Sequence, residues 1–263
     1  MTPEVVEQLD RFFAAVRGAT RSILLLDYDG SMAPFRVNRF QARPYKGVPE
    51  LLTRIQSLGR TRMAVITGRP AAEIGPLLAL PFPLEVWGLH GAERLFADGR
   101  RMLEQPSPQT LEHLNDVRTQ LRRDSFGGLF EDKPNAAVMH WRGVPRQKAR
   151  EIERKTRALF DSVALRDGLR TLEFESGVEL RAGRDKGGAV EAILEESDAH
   201  TPVAYLGDDL TDEFAFRAVK ASGRPGLSVL MRRDWRETSA DVWLRPPEGL
   251  KAFLKKWLSA QED

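Results

Sequence analysis

Cysteine is missing from this 263-residue chain altogether. That excludes disulfides, thiol nucleophiles and any metal site built on thiolates. Missing too is any apolar run near the ~20 residues that a membrane-spanning helix needs, so no membrane partner is expected. There is almost no surplus charge of either sign. Forty Lys and Arg stand against 38 Asp and Glu, and the pI near 9.0 reflects that near-balance rather than a basic surface. Runs such as Arg122-Arg123 and Lys255-Lys256 are too short for the clustered basic face that nucleic acid demands, so no nucleic-acid partner is expected either. The first 21 residues carry acids early and lack the basic-then-apolar order of a secretory signal. With no internal repeat and no low-complexity tract, the expectation is a soluble, cytoplasmic, monomeric globular protein.

The residues that are present alternate between two periodicities. Val5, Val6, Leu9, Phe12, Phe13 and Val16 recur at helical spacing. Thr2 is a capping type, Pro3 suits the first helical position and Gly18 closes the segment. Ile23-Leu24-Leu25-Leu26 is a short continuous apolar run, the pattern of a strand buried on both faces. Helical patterns at 48–58 and 71–80 are interleaved with buried-strand patterns at 63–66 and 84–87. The alternation resumes with helices at 186–196, 210–220 and 249–258 and strands at 203–206, 227–230 and 242–244. Such alternation predicts an α/β fold, a Rossmann-like parallel-sheet core with helices on both faces.

The middle differs in character. A polar helix near 110–123, a strand at 136–141, a helix at 146–160 and two close strands at 171–175 and 178–181 suggest an inserted α+β segment, with Ser176-Gly177 as a hairpin turn. The expected division is a core of 1–103 and 182–263 around an insertion of 104–181. Over 171–181 the apolar residues Leu172, Phe174, Val178 and Leu180 alternate with Glu173, Glu175, Glu179 and Arg181. Period-two alternation alone places Glu179 and Arg181 on a solvent face. His140, on the apolar strand, is expected to be structural. The five Trp and most Phe residues are assigned to packing.

Four segments carry chemistry. Asp27-Tyr28-Asp29-Gly30-Ser31 follows the first buried strand, and ligands of open α/β sheets gather at the carboxyl ends of strands. Two carboxylates two residues apart can divide labour, one attacking an electrophile and one moving protons; a plain strand-ending Asp-Gly turn fits the same residues. Gly207-Asp208-Asp209-Leu210-Thr211-Asp212-Glu213 packs four acids behind another strand. Mg²⁺ favours a few carboxylates plus waters, although Asp212 and Glu213 also suit an ordinary helix start. Thr67-Gly68-Arg69 can present a hydroxyl and backbone N–H groups to a phosphate, or simply turn the chain. Lys186, at a helix start where it opposes the dipole, wants an anionic partner, although a surface lysine is the ordinary reading.

In this order, each at an expected strand end or helix start, the four segments resemble those of the haloacid dehalogenase superfamily of phosphotransferases. The resemblance implies Asp27 as nucleophile and Asp29 as general acid/base, with Thr67, Gly68 and Lys186 holding the phosphoryl group. It also implies Mg²⁺, bound by the side chains of Asp27 and Asp208 and the backbone carbonyl of Asp29, with Asp209 and Asp212 in support.

A closer likeness lies within that frame. Adding Gly88-Leu89-His90-Gly91-Ala92-Glu93, Glu131-Asp132-Lys133, His140-Trp141-Arg142 and Val178-Glu179-Leu180, the chain resembles the trehalose-6-phosphate phosphatase family over nearly its whole length. That likeness makes the insertion a substrate-specificity cap. It implies Glu131, Lys133 and Glu179 as sugar-binding residues and a small-molecule sugar phosphate as partner. Arg69 and His90 are expected at the substrate too, though a loop histidine between two glycines equally suits a backbone hydrogen-bond partner. Ser31 and Met32 stand where that family usually has Thr and Leu, and 36–45 and 110–128 match loosely. The expected reaction is Mg²⁺-dependent hydrolysis of trehalose 6-phosphate through an aspartyl-phosphate. The alternatives are a phosphatase of another phosphorylated glycoside, or a non-catalytic sugar-phosphate sensor, which the intact Asp27/Asp29 pair argues against.

Overall fold

Helix α1 (Pro3–Gly18) turns Leu9, Phe12, Phe13 and Val16 inward, but Val6, expected on the same stripe, is exposed. The computed structural model describes residues 3–36, 38–124, 127–133, 135–163, 169–174 and 176–262; Thr2 and Glu175 lie outside the described residues. Strand β1 (Ser22–Leu26) is buried at every position. After it come α2 (Val48–Ser57), β2 (Thr61–Ile66), α3 (Ile74–Leu78) and β3 (Glu85–Gly88). The helix expected over 71–80 is shorter, a 3-10 turn at Ala71–Glu73 followed by five α-helical residues. Pro76 and Gly75 weaken helix propagation there.

Two short strands, β4 (Glu93–Leu95) and β5 (Arg101–Leu103), form an edge hairpin that the alternation did not reveal. Three-residue strands carry too little period-two signal. The clue was Asp98-Gly99, a strong turn pair, with Gly99 at φ 87°.

The chain divides into two compact units, Glu104–Gly183 and the remainder. The smaller holds α4 (Pro108–Arg123), β6 (Phe130–Lys133), β7 (Ala136–His140), α5 (Arg146–Val163), β8 (Leu169–Phe174) and β9 (Gly177–Ala182). Its antiparallel sheet runs β6-β7-β9-β8, backed by Leu114, Val117, Ile152 and Phe160 from the two helices. Gly177 pairs with Phe174 and belongs to β9, so only Ser176 (φ 72°) of the expected turn pair stays in the turn. Strand β9 is central and buried throughout, which overturns the solvent-facing expectation for Glu179 and Arg181, each 3% exposed. Alternation reports which residues share a face, not whether something covers it.

The larger unit resumes with α6 (Lys186–Glu195), β10 (Val203–Gly207), α7 (Asp212–Ala221), β11 (Gly226–Met231), β12 (Val242–Leu244) and α8 (Glu248–Glu262). Among the described residues its sheet runs β12-β11-β10-β1-β2-β3-β4-β5, parallel as far as β3. Alternate residues of β1 serve opposite faces. Leu24 and Leu26 pack with α1, α2 and α8, while Ile23 and Leu25 pack with α6 and α7. The apolar run therefore needs no polar side. Trp235, Phe35 and Phe40 depart from the packing assignment and are exposed. Among the described residues, no helix is long and apolar enough to cross a membrane.

Candidate functional site

The strand order makes the site. Strand β1 lies between β10 and β2, so the loops leaving all three carboxyl ends meet at the point where the chain reverses direction along the sheet. Asp27, Thr67 and Asp208 are each the first residue beyond these strands. The Asp27 N–H donates to Leu206 O at 2.8 Å and the Thr67 N–H to Trp87 O at 2.8 Å, extending the sheet's ladder to the site.

Asp27 is 4% exposed and accepts from Lys186 Nζ at 2.8 Å. The same ammonium reaches Asp212 Oδ1 at 2.6 Å. The lysine is placed by α6, whose first turn is capped by Asp185 accepting from the Gly188 N–H at 2.9 Å. Buried to 3% exposure, Lys186 is not the surface residue its type suggests. Its two carboxylate partners raise its pKa against the opposing effect of burial.

Asp212 is a hub. Its Oδ1 accepts from Lys186 and from the Tyr205 hydroxyl at 2.6 Å; its Oδ2 accepts from the backbone N–H groups of Asp208 and Asp209 at 3.0 and 2.9 Å. The acidic loop is thereby folded around Asp212, and Gly207 has no Cβ because that carboxylate occupies the space. Gly30 does the same for Asp208. At φ 82° it lets the chain turn, and its missing Cβ leaves room for the Asp208 carboxylate.

Asp27, Asp208 and Asp212 offer oxygens that lie within 4.8 Å of one another. Burial, the largest cause, raises Asp27 to about 7, with Lys186 opposing and Asp212 adding to the rise. Burial followed by the charge of Asp27 raises Asp208 well above the carboxylate range. Asp209 is raised mainly by burial. Three clustered carboxylates face one ammonium, and among the described residues Asp208 Oδ1 is a buried acceptor with no hydrogen-bond donor. A hard divalent cation fits this donor set, supplying the missing partner for Asp208 and relieving the repulsion.

On the other side, Arg69 grips Asp29 with two hydrogen bonds, Nε to Oδ2 and Nη2 to Oδ1, both 2.6 Å. Its guanidinium lies 5.5 Å from the Tyr28 ring centroid, and Tyr28 ties the following loop by donating to Ala42 O at 2.7 Å. Thr67 Oγ1 accepts from the Arg69 N–H at 3.2 Å. His90, at φ 57°, donates its N–H to Thr67 O at 2.7 Å, and its imidazole lies where a Cβ on Gly68 would be. Asp27, Asp29, Thr67, Gly68, Arg69, His90, Lys186, Asp208, Asp209 and Asp212 thus belong to one constellation within the larger unit.

Glu131, Lys133 and Glu179 gather in the smaller unit. Glu179 accepts from Lys133 Nζ at 3.3 Å and from Arg181 through two guanidinium nitrogens; Glu131 bonds His140 at 2.9 Å. Burial would raise Glu179, but Arg181 and Lys133 outweigh it and hold its pKa low. Tyr205, two residues before the acidic segment, and Arg181, two residues from Glu179, join these groups although neither was expected at a site.

Fold and site together define an α/β protein with a core of the haloacid dehalogenase kind. A haloacid dehalogenase-like hydrolase from B. subtilis superposes with a TM-score of 0.65 at 16% identity, covering 89% of this chain and 99% of that one. The C-terminal domain of trehalose-6-phosphate phosphatase from C. albicans superposes with a TM-score of 0.77 at 20% identity, covering 95% of this chain and 96% of that one. The trehalose-phosphatase profile matches residues 25–244, and the chain belongs to that family. The trehalose-phosphate phosphatase of Mycolicibacterium paratuberculosis is 30% identical over 249 residues, 89% of this chain. The probable trehalose-phosphate phosphatase I of Arabidopsis thaliana is 26% identical over 274 residues, 97% of this chain and 72% of its own length. The chain spans 61% of the length of the M. paratuberculosis relative.

Proposed function

We propose that this protein is a phosphoric monoester hydrolase that converts trehalose 6-phosphate to trehalose and phosphate, using Mg²⁺. The observation that carries the reading is Asp27 itself, a buried carboxylate held by Lys186 beside an acidic cluster and two residues from the arginine-held Asp29. Family membership supports the substrate class.

In the first step an Asp27 carboxylate oxygen attacks phosphorus and the bond to the sugar oxygen breaks. Asp29, in its carboxylic acid form, gives its proton to that oxygen, and trehalose leaves. In the second step Asp29, now a carboxylate, takes a proton from water as the water oxygen attacks the phosphorus of the acyl phosphate. Phosphate departs and both aspartates are restored. Lys186, Thr67 and the N–H of Gly68 orient the phosphoryl group, and Arg69 exchanges its grip on Asp29 for phosphoryl oxygens. Asp27, Asp208 and the Asp29 carbonyl would hold the cation, which when bound would lower repulsion between an anionic nucleophile and an anionic substrate. The unit Glu104–Gly183 serves as the specificity cap in this reading.

Asp27→Asn is expected to abolish turnover, because the amide is a poor nucleophile of nearly the same shape. Phosphate release from trehalose 6-phosphate and from an aryl phosphate, with and without exhaustive chelation, checks both claims. Turnover surviving in pure Asp27→Asn protein overturns the nucleophile; an undiminished rate after chelation overturns the cation. A panel of phosphorylated sugars tests the substrate, and a faster rate on another phosphorylated glycoside would replace trehalose 6-phosphate.

A further inference from the structure

The acidic loop between β10 and α7 is gripped from two sides, and only one grip comes from a residue of the acidic cluster itself. From inside, the Asp212 carboxylate takes the N–H groups of Asp208 and Asp209. From outside, the segment between β11 and β12 reaches across. Glu213, next to Asp212 on the first turn of α7, accepts from Arg236 Nη1, from Thr238 Oγ1 at 2.7 Å, and from both the backbone N–H (2.8 Å) and hydroxyl of Ser239. The second terminal nitrogen of Arg236, Nη2, donates to the Asp209 carbonyl at 2.7 Å. That carbonyl also accepts from the Asp212 N–H at 3.0 Å. Arg232 Nη1 lies 3.5 Å from the neighbouring Asp208 carbonyl.

Asp209 is therefore pinned on its donor side by one carboxylate, and on its acceptor side by the guanidinium together with the Asp212 N–H. The guanidinium is anchored in turn by Glu213, whose side chain is 12% exposed beside 16% for Arg236. A planar fork can serve a carboxylate and a carbonyl at once; an ammonium is a single point of charge. The site needs such rigidity, because clustered carboxylates repel and an unbraced loop would let Asp208 swing away from Asp27.

We propose that Glu213 and Arg236 are positioning residues that set the affinity of the Asp27–Asp208 cluster for its divalent cation. Neither touches the cation; both act through the backbone of residues 208–209. The inference rests on the cation site of the proposed function, and its test separates the two.

The experiment measures Mn²⁺ binding to metal-stripped protein by electron paramagnetic resonance, with no substrate present. Wild-type protein is compared with Glu213→Gln, Arg236→Lys and the double variant. Residues that orient metal ligands typically alter affinity by about 10- to 100-fold. Glu213→Gln and Arg236→Lys are expected to weaken Mn²⁺ binding about tenfold, the lysine because it cannot hold Glu213 and the Asp209 carbonyl together. The double variant is expected to be no weaker than the weaker single one, since both remove the same brace. Arg236→Lys within twofold of wild type overturns the brace. Should that variant fail to fold, Glu213→Gln decides: weaker binding supports the proposal, and unchanged binding overturns it. Wild-type protein that binds no Mn²⁺ overturns the cation site, and the brace falls with it.

Discussion

At the scale of single residues, the site depends on side chains that are absent as much as on those present. Gly30 stands at φ 82°, a conformation costing an L-residue roughly 1–2 kcal/mol, and a Cβ there would enter the space of the Asp208 carboxylate. Gly30→Ala is therefore expected to displace Asp208 rather than merely strain the turn. The Mg²⁺ concentration for half-maximal activity should rise on the order of tenfold or more, as read from a metal-activation curve. An unaltered curve would show that the turn tolerates the methyl group and that Asp208 is not positioned by it. Lys186 makes the complementary point. Nothing in its type or neighbours marks it as buried, yet it is the ammonium that lets Asp27 and Asp212 lie together.

At the scale of elements, the edge of the larger sheet is held by a lattice of charges that joins three strands to a helix end. Arg62 of β2 contacts Glu85 of β3 at 3.0 Å and Glu196, just beyond α6, at 2.7 Å. Arg94 of β4 contacts Glu85 at 2.8 Å and Glu196 at 2.5 Å while lying 4.7 Å from the Trp87 ring centroid. The hydrogen bond from Arg94 is the chief cause that holds Glu196 down at about 2, with Arg62 assisting against partial burial. A depressed carboxylate stabilises the fold above its unfolded pKa of about 4.3, and that contribution is lost as pH falls toward 2. Because the Glu196 side chain is 44% exposed, solvent screening limits its value to about 1 kcal/mol. Glu196→Gln should lower the melting temperature by roughly 2–4 °C at pH 7, with the gap from wild type shrinking below pH 4. A gap that persists unchanged to pH 2 would mean that shape, not charge, makes the difference.

At the scale of the whole molecule, phosphoryl transfer and sugar recognition are proposed to belong to different units, so two substrates can report on them separately. The buried Glu179 is a poor probe on its own, because Glu179→Gln also strips Arg181 of its carboxylate. Glu131 and Lys133 are more exposed, and Lys133→Met leaves Arg181 on Glu179. Charged hydrogen bonds are worth roughly 1.5–3 kcal/mol, and about 1.4 kcal/mol is a factor of ten. Glu131→Gln and Lys133→Met should then lose about ten- to a hundredfold in kcat/KM on trehalose 6-phosphate and almost nothing on an aryl phosphate. Equal losses on both substrates would assign these residues to folding; no loss on either would remove them from sugar binding.

The sequence by itself determined the α/β class, because β1 and its neighbours are continuous apolar runs that can only be buried on both faces. It also placed the acidic and Thr67-Gly68-Arg69 segments at strand ends, since apolarity stops where each strand leaves the sheet. Beyond that point contact had to be seen. Strand order brought the ends of β10, β1 and β2 together, and no local pattern encodes order. The alternation through Glu179 and Arg181 was legible, but the centrality of β9 turned a nominal solvent face into a buried ion-paired one. The edge hairpin β4–β5 was too short to register, and exposed Trp235 and Phe35 broke the rule that aromatics pack inward. Tertiary structure alone joined Lys186 to Asp27 across 159 residues and Arg236 to Asp209 across 27. Periodicity records how each segment meets its immediate surroundings, whereas charge pairing depends on which distant segments share those surroundings.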